Sequence, residues 1–207
     1  MKGDKIQSLN AAISDGLGAM KDEAESNPEV KVKMRVLRFA TNAEWEIEQP
    51  TPVDQMTWRD LSAGGVTNMG EALSKVADQM SIPPMEERAF PPVLALVSDG
   101  QPTDNFDSGL QELLDQKWGD KAVRIAIGIG NEADHDPLER FIGNPEIPVL
   151  QANNPEDLTR FVRWASTEVV QNASAPPSRS QEGDEPESNV NIPNTPDSDD
   201  SSGTDVW

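Results

Sequence analysis

Asp99 stands just past an apolar run, Val93 to Val97, in the polar stretch Ser98-Asp99-Gly100-Gln101-Pro102-Thr103-Asp104. A carboxylate thrown off the end of a buried strand lies where open α/β sheets keep their sites. Thr67, 32 positions earlier, lies in a second polar turn, Gly64-Gly65-Val66-Thr67-Asn68-Met69-Gly70, which opens a helix. A carboxylate and a hydroxyl are hard oxygen donors, the kind that Mg²⁺ accepts in an octahedral set completed by water. The two turns look like two of three parts of a divalent-metal site, and the missing part is expected to precede Met1. Turn formation alone also favours an aspartate before glycine and a threonine in a glycine loop. The metal reading is preferred because both residues stand at the ends of elements.

Three other constellations carry weaker chemistry. Gly128-Ile129-Gly130-Asn131-Glu132-Ala133 has the spacing of a dinucleotide fingerprint. It follows a late strand, with Pro137 close behind, and is read as accidental. Asp134-His135-Asp136 holds the only histidine. Neighbouring loop residues seldom converge on one ion, so it is expected to be a solvated turn capping the Pro137 helix. Asp99 could also serve as a phosphoacceptor in a phosphatase or phosphotransfer enzyme, but the expected D-x-D is absent at that position, where Gly100 and Gln101 follow. No catalytic and no organic-cofactor-binding residue is assigned.

The elements that must position Thr67 and Asp99 follow from hydrophobic periodicity. Ile6, Leu9, Ile13, Leu17 and Met20 recur at steps of three and four, predicting a helix from Lys5 to Glu25 with Asp4 as its cap. A strand is expected from Val30 to Ala40, paired as a hairpin with a short strand from Trp45 to Glu48. The segment from Gln49 to Ser62, with Pro50, Pro52 and Trp58, reads as irregular with one helical turn. A helix from Glu71 to Met80 follows the Thr67 turn. Beyond the Val93 strand come a helix from Phe106 to Trp118, a buried strand from Ala122 to Ile129, a short helix at Pro137, and a strand from Ile147 to Leu150. A final helix opens at Asn154-Pro155, with Leu158, Phe161, Val162, Ala165 and Val169 inward. Trp45, Trp58, Trp118 and Trp164 are read as packing residues. The alternation predicts an α/β fold, a doubly wound sheet flanked by helices. Such a fold ordinarily begins with a strand. In the order 3-2-1-4-5-6 the first, central strand is missing here, between the Val30 and Val93 strands.

Of 207 residues, 37 are acidic and 17 basic, for a formal charge of -20. That excess disfavours nucleic acid and anionic membrane as partners. Without cysteine there is no disulfide, thiolate metal site or cysteine nucleophile. A cytoplasmic setting is expected. The chain divides into one folded domain, 1–171, and a tail, 172–207, holding eight acids and one arginine. The tail is too poor in apolar residues to bury a core and is expected to be disordered.

These motifs make the chain resemble the von Willebrand factor type A domain, and within it the TerY-like, tellurium-resistance-associated group. Ser98 to Asp104 is similar to the S/T-D-G-x-P-T-D stretch of bacterial members, Thr67 to the family's threonine, and Asp99 to its aspartate. Met1 to Ile6 resembles the link that joins the family's D-x-S-x-S strand to its first helix. The resemblance implies a non-enzymatic interaction module in which Thr67 and Asp99 help hold Mg²⁺ or another divalent cation. With two ligands the cation would be held weakly, and a partner's carboxylate would complete its shell. It also implies a stress or tellurite-resistance setting alongside a protein kinase and a metal-dependent phosphatase. The alternatives are the Asp99 phosphotransfer enzyme and an inactive truncated remnant.

Overall fold

The structure, a computed structural model, describes residue 1 and residues 3–26, 31–131 and 133–174, with side chains as far as residue 167. Six helices and five strands are arranged in the expected alternation: α1 (Asp4–Ser26), β1 (Lys33–Phe39), β2 (Ala43–Pro52), α2 (Met69–Met80), β3 (Val93–Ser98), α3 (Phe106–Leu114), α4 (Lys117–Asp120), β4 (Val123–Ile129), α5 (His135–Ile142), β5 (Leu150–Ala152) and α6 (Pro155–Ser174). A single 3-10 turn, Val53–Gln55, follows β2.

Among the described residues the strands form two sheets. β1 and β2 make an antiparallel hairpin in which Phe39 faces Ala43, while β3, β4 and β5 run parallel in that order. Their alternation sends Leu94 and Leu96 of β3 towards α2, α3 and α5. Val93 and Val97 go to the opposite face, where Ile125, Ile127 and Ile129 of β4 pack under α1 and α6. Helices on both faces explain why β4 reads as a continuous apolar run. The same helices reach the hairpin. Leu17 and Met20 of α1 pack with Val32, Met34 and Val36, and Phe39 packs against the cluster that holds Met69 and Leu73 of α2.

β3 has no strand on its outer side among the described residues. Ala95 lies on the face that α1 and α6 cover and pairs in register with Ile125. Ile125 is 1% exposed, whereas Ala95 is classed as exposed. The layer cover therefore stops short at the β3 edge, leaving an interval between two sheets that share their flanking helices.

Four expectations are corrected. β2 runs on through Pro50 to Pro52 rather than ending at Glu48, since an edge strand tolerates proline, which has no N–H to leave unpaired. The Phe106 helix stops at Leu114 and resumes as α4, with Gln116 extended between them. A Cβ on Gly119 would overlap the Leu113 carbonyl, so the chain folds back there too tightly for one continuous helix. The last strand lies at Leu150–Ala152 instead of Ile147–Leu150, as Pro148 cannot donate to a ladder. Asp4 falls inside the first turn of α1 rather than outside it. The segment from residue 175 on, most of the expected tail, and the side chain of Val169 lie outside the described residues.

Candidate functional site

Parallel pairing brings Ser98 beside Gly128 and Ile129 beside Ala152, so β3, β4 and β5 end along one edge. Asp99 leaves the sheet at that edge. Ser98 is buried, and its hydroxyl closes the turn below Asp99, accepting from the Gly100 N–H at 3.3 Å and donating to the Gly100 carbonyl at 3.2 Å. The Asp99 carboxylate grips the amino nitrogen of Met1 with both oxygens, at 3.0 and 2.8 Å. Their side chains are 20% and 13% exposed, so this carboxylate faces a cationic group in a partly dry position.

Thr67 arrives at the same place from the other side. The loop before it is pinned to α1 by Asn10, whose side chain donates to the Leu61 carbonyl at 3.0 Å and accepts from the Leu61 N–H at 2.8 Å. Gly65 turns the chain with φ +78°, where a Cβ would overlap the Thr41 hydroxyl. Asn68 then ties the turn to the β1–β2 connection through its N–H to Ala40 and its amide to Thr41. A Cβ placed on Gly100 would lie 3.8 Å from the Thr67 hydroxyl oxygen. The hydroxyl thus sits against the turn that carries Asp99, and the two sequence-predicted residues are together.

Thr103 and Asp104 join the two loops. The Thr103 hydroxyl oxygen accepts from the Thr67 N–H at 3.0 Å, and its N–H donates to the Thr67 carbonyl at 2.9 Å. The Asp104 carboxylate accepts from the N–H groups of Gly70 and Glu71, at 2.8 Å each. No role for these residues follows from sequence spacing, although their place in the Ser98–Asp104 stretch marks them. Glu71, in the first turn of α2, gives its N–H to Asp104, while its carboxylate pairs with Lys75 instead. Its carboxyl is lowered from the usual range by the hydrogen bond with Lys75, 3.1 Å away.

The other candidates do not converge here. Asp134 caps α5 by accepting from the Asp136 N–H, as expected of a solvated turn. His135 pairs through Nε2 with the Gln151 side chain at 2.7 Å, while the Gln151 amide donates to Gly130 and Asn153. Gly128 lies in β4, where a Cβ would meet the Gln151 side chain and Ala133, so close packing accounts for the glycine there. Trp118 and Trp164 are buried in the core clusters, and Trp58 packs under the hairpin. Among the described residues no group of three or more His, Asp or Glu side chains is placed to hold a metal ion. Thr67 and Asp99 therefore fit a hard divalent cation in donor type but supply only two of the six or so oxygens it takes.

The family model of the von Willebrand factor type A domain matches residues 22–164. The fold is similar to the ArnB paralog VWA2 from Sulfolobus acidocaldarius, with a TM-score of 0.56 at 18% identity over 79% of this chain and 40% of that one. It is similar to a von Willebrand factor type A protein from Catenulispora acidiphila, with a TM-score of 0.55 at 14% identity over 80% and 39%. Proximal thread matrix protein 1 from the mussel byssus aligns with a TM-score of 0.51 at 20% identity over 75% and 41%. The chain thus spans about two fifths of the length of each of these structures. No helix among the described residues is long and apolar enough to cross a membrane.

Proposed function

Because the chain belongs to the von Willebrand factor type A domain family, we propose that it is a non-enzymatic protein-interaction module working through a divalent cation, Mg²⁺ by preference, at Thr67 and Asp99. The observation that carries this reading is that the Thr67 hydroxyl sits against the Gly100 turn, which carries the Asp99 carboxylate at one edge of the parallel sheet. Asp99 would supply charge to the cation and Thr67 a neutral oxygen, leaving positions for water and for one carboxylate of a partner. The cation's contribution is a strong, directional link between two acidic groups that would otherwise repel.

The interval beside β3 supports a second part of the proposal. β3 carries an unpaired edge there among the described residues, and one further strand would pair with it. A strand ending in D-x-S-x-S in that place would bring the oxygens that Thr67 and Asp99 lack. The likeness of Ser98 to Asp104 to the TerY-like group supports a cytoplasmic stress or tellurite-resistance role, with a protein kinase and a metal-dependent phosphatase as partners.

The test is binding of a purified candidate kinase or phosphatase to the immobilised chain, in Mg²⁺ and in EDTA. Binding in Mg²⁺ that disappears in EDTA and with Asp99→Ala is the expected result. Binding that is equal in EDTA, or that survives Asp99→Ala, contradicts the metal bridge.

A further inference from the structure

We propose that Asp104 is the positioning residue of this site, holding the Thr67 hydroxyl at Asp99 by clamping the first turn of α2. The inference rests on the metal-bridge reading and names the residue that sets its geometry. α2 has Asn68 at its cap position, and that side chain makes no capping bond. Its first-turn N–H groups are met instead by Asp104, from a loop more than thirty residues later in sequence. A carboxylate at that end of a helix satisfies free donors and opposes the positive end of the helix dipole.

Asp104 lies in the same short loop as Asp99, and Thr103 between them holds Thr67 from both its N–H and its carbonyl. Thr67 is thus tied to the Asp99 loop directly by two hydrogen bonds with Thr103, and the helix turn that follows it by two more with Asp104. Beneath the clamp the backbones of α2 and α3 touch. A Cβ on Gly70 would overlap the Asn105 carbonyl, and one on Gly109 would overlap the carbonyl of Gly70. That contact stops α2 from sliding towards α3, so the clamp fixes where the hydroxyl stands as well as ending a helix. Groups that orient metal ligands from behind commonly change metal affinity by about 10- to 100-fold when removed.

Mn²⁺ titrated into the full chain, and read as paramagnetic broadening of the Gly100 backbone amide, reports affinity at this site rather than at acidic surface elsewhere. Thr67→Ala and Asp104→Ala are each expected to weaken it by about tenfold. Asp104→Asn keeps one acceptor oxygen and is expected to fall between Asp104→Ala and the parent, which keeps the test available should Asp104→Ala fail to fold. Because Asp104 acts through Thr67, the double variant should bind no more weakly than Thr67→Ala alone. A cap with a structural role only would lower the melting temperature and leave the folded protein's affinity unchanged. An unchanged affinity in Asp104→Ala or Asp104→Asn, or multiplying effects in the double variant, overturns the positioning role and leaves the site standing. An unchanged affinity in Thr67→Ala overturns the site reading, and the positioning role with it.

Discussion

At the scale of single residues, two polar side chains inside the molecule tie distant backbone segments together. Arg124, half-buried on β4, donates to the carbonyls of Phe141 at 2.8 Å, Gly119 at 2.9 Å and Asp120 at 3.3 Å, tying α4 and α5 to the sheet. Burial pushes its guanidinium below its ordinary pKa, with the Asp120 charge opposing that effect. Arg124→Met removes the donors and leaves the Phe141 carbonyl without its side-chain partner, and is expected to cost about 1 to 3 kcal/mol in chemical denaturation. Asn10→Leu leaves both backbone groups of Leu61 unpaired. It is expected to cost about 1 to 3 kcal/mol, a drop in melting temperature of about 2 to 4 °C per kcal/mol. Unchanged melting would show that water replaces the amide there. The positions of Asp99 and Thr67 are legible in the sequence, the one just past the apolar run of β3 and the other in a glycine turn before α2. The work of Asp104 and Asn10 is not legible, because each bonds to backbone more than thirty residues away and leaves no local pattern.

At the scale of elements, the glycines separate close packing from helix propensity. Gly18, in the middle of α1, has open space where a Cβ would go. Gly18→Ala is expected to stabilise by up to about 1 kcal/mol, the propensity difference between the two residues. Gly70→Ala and Gly109→Ala carry the same propensity gain but drive a Cβ into backbone at the α2–α3 contact, so both are expected to destabilise. Stabilisation of all three in urea denaturation would mean that α2 and α3 do not touch as described. The same physics explains which elements could be read in advance. Periods of 3.6 residues fixed α1, α2 and α6 closely, because long amphipathic faces average over local exceptions. Short elements were displaced by single residues, as with Pro148 at β5, or by tertiary crowding, as at Gly119 before β4.

At the scale of the whole molecule, the described strands form two sheets, and β3 stands at the edge of the parallel one. Unpaired strand edges exchange amide protons readily, so the outward amides of β3 are expected to exchange much faster than those of β4, which is paired on both sides. A strand supplied to the interval should protect them and cover Ala95. Equal protection of β3 and β4 in the chain as it stands would remove the case for such a strand. That β3 lies at the edge of its sheet among the described residues fits an element order that opens on a helix, since a doubly wound sheet ordinarily opens on a strand. The split into two sheets with shared helices was not legible, because the sequence does not say whether flanking layers close over an interval or hold it open.

The central claim is that Thr67 and Asp99 hold a divalent cation, and the most direct measurement is a map of Mn²⁺ broadening across the backbone amides of the full chain. Broadening centred on Thr67, Asn68 and Gly100, lost in Asp99→Ala, is the predicted result. Broadening confined to the acidic stretch around Asp197, Asp199 and Asp200, and indifferent to Asp99→Ala, would contradict it.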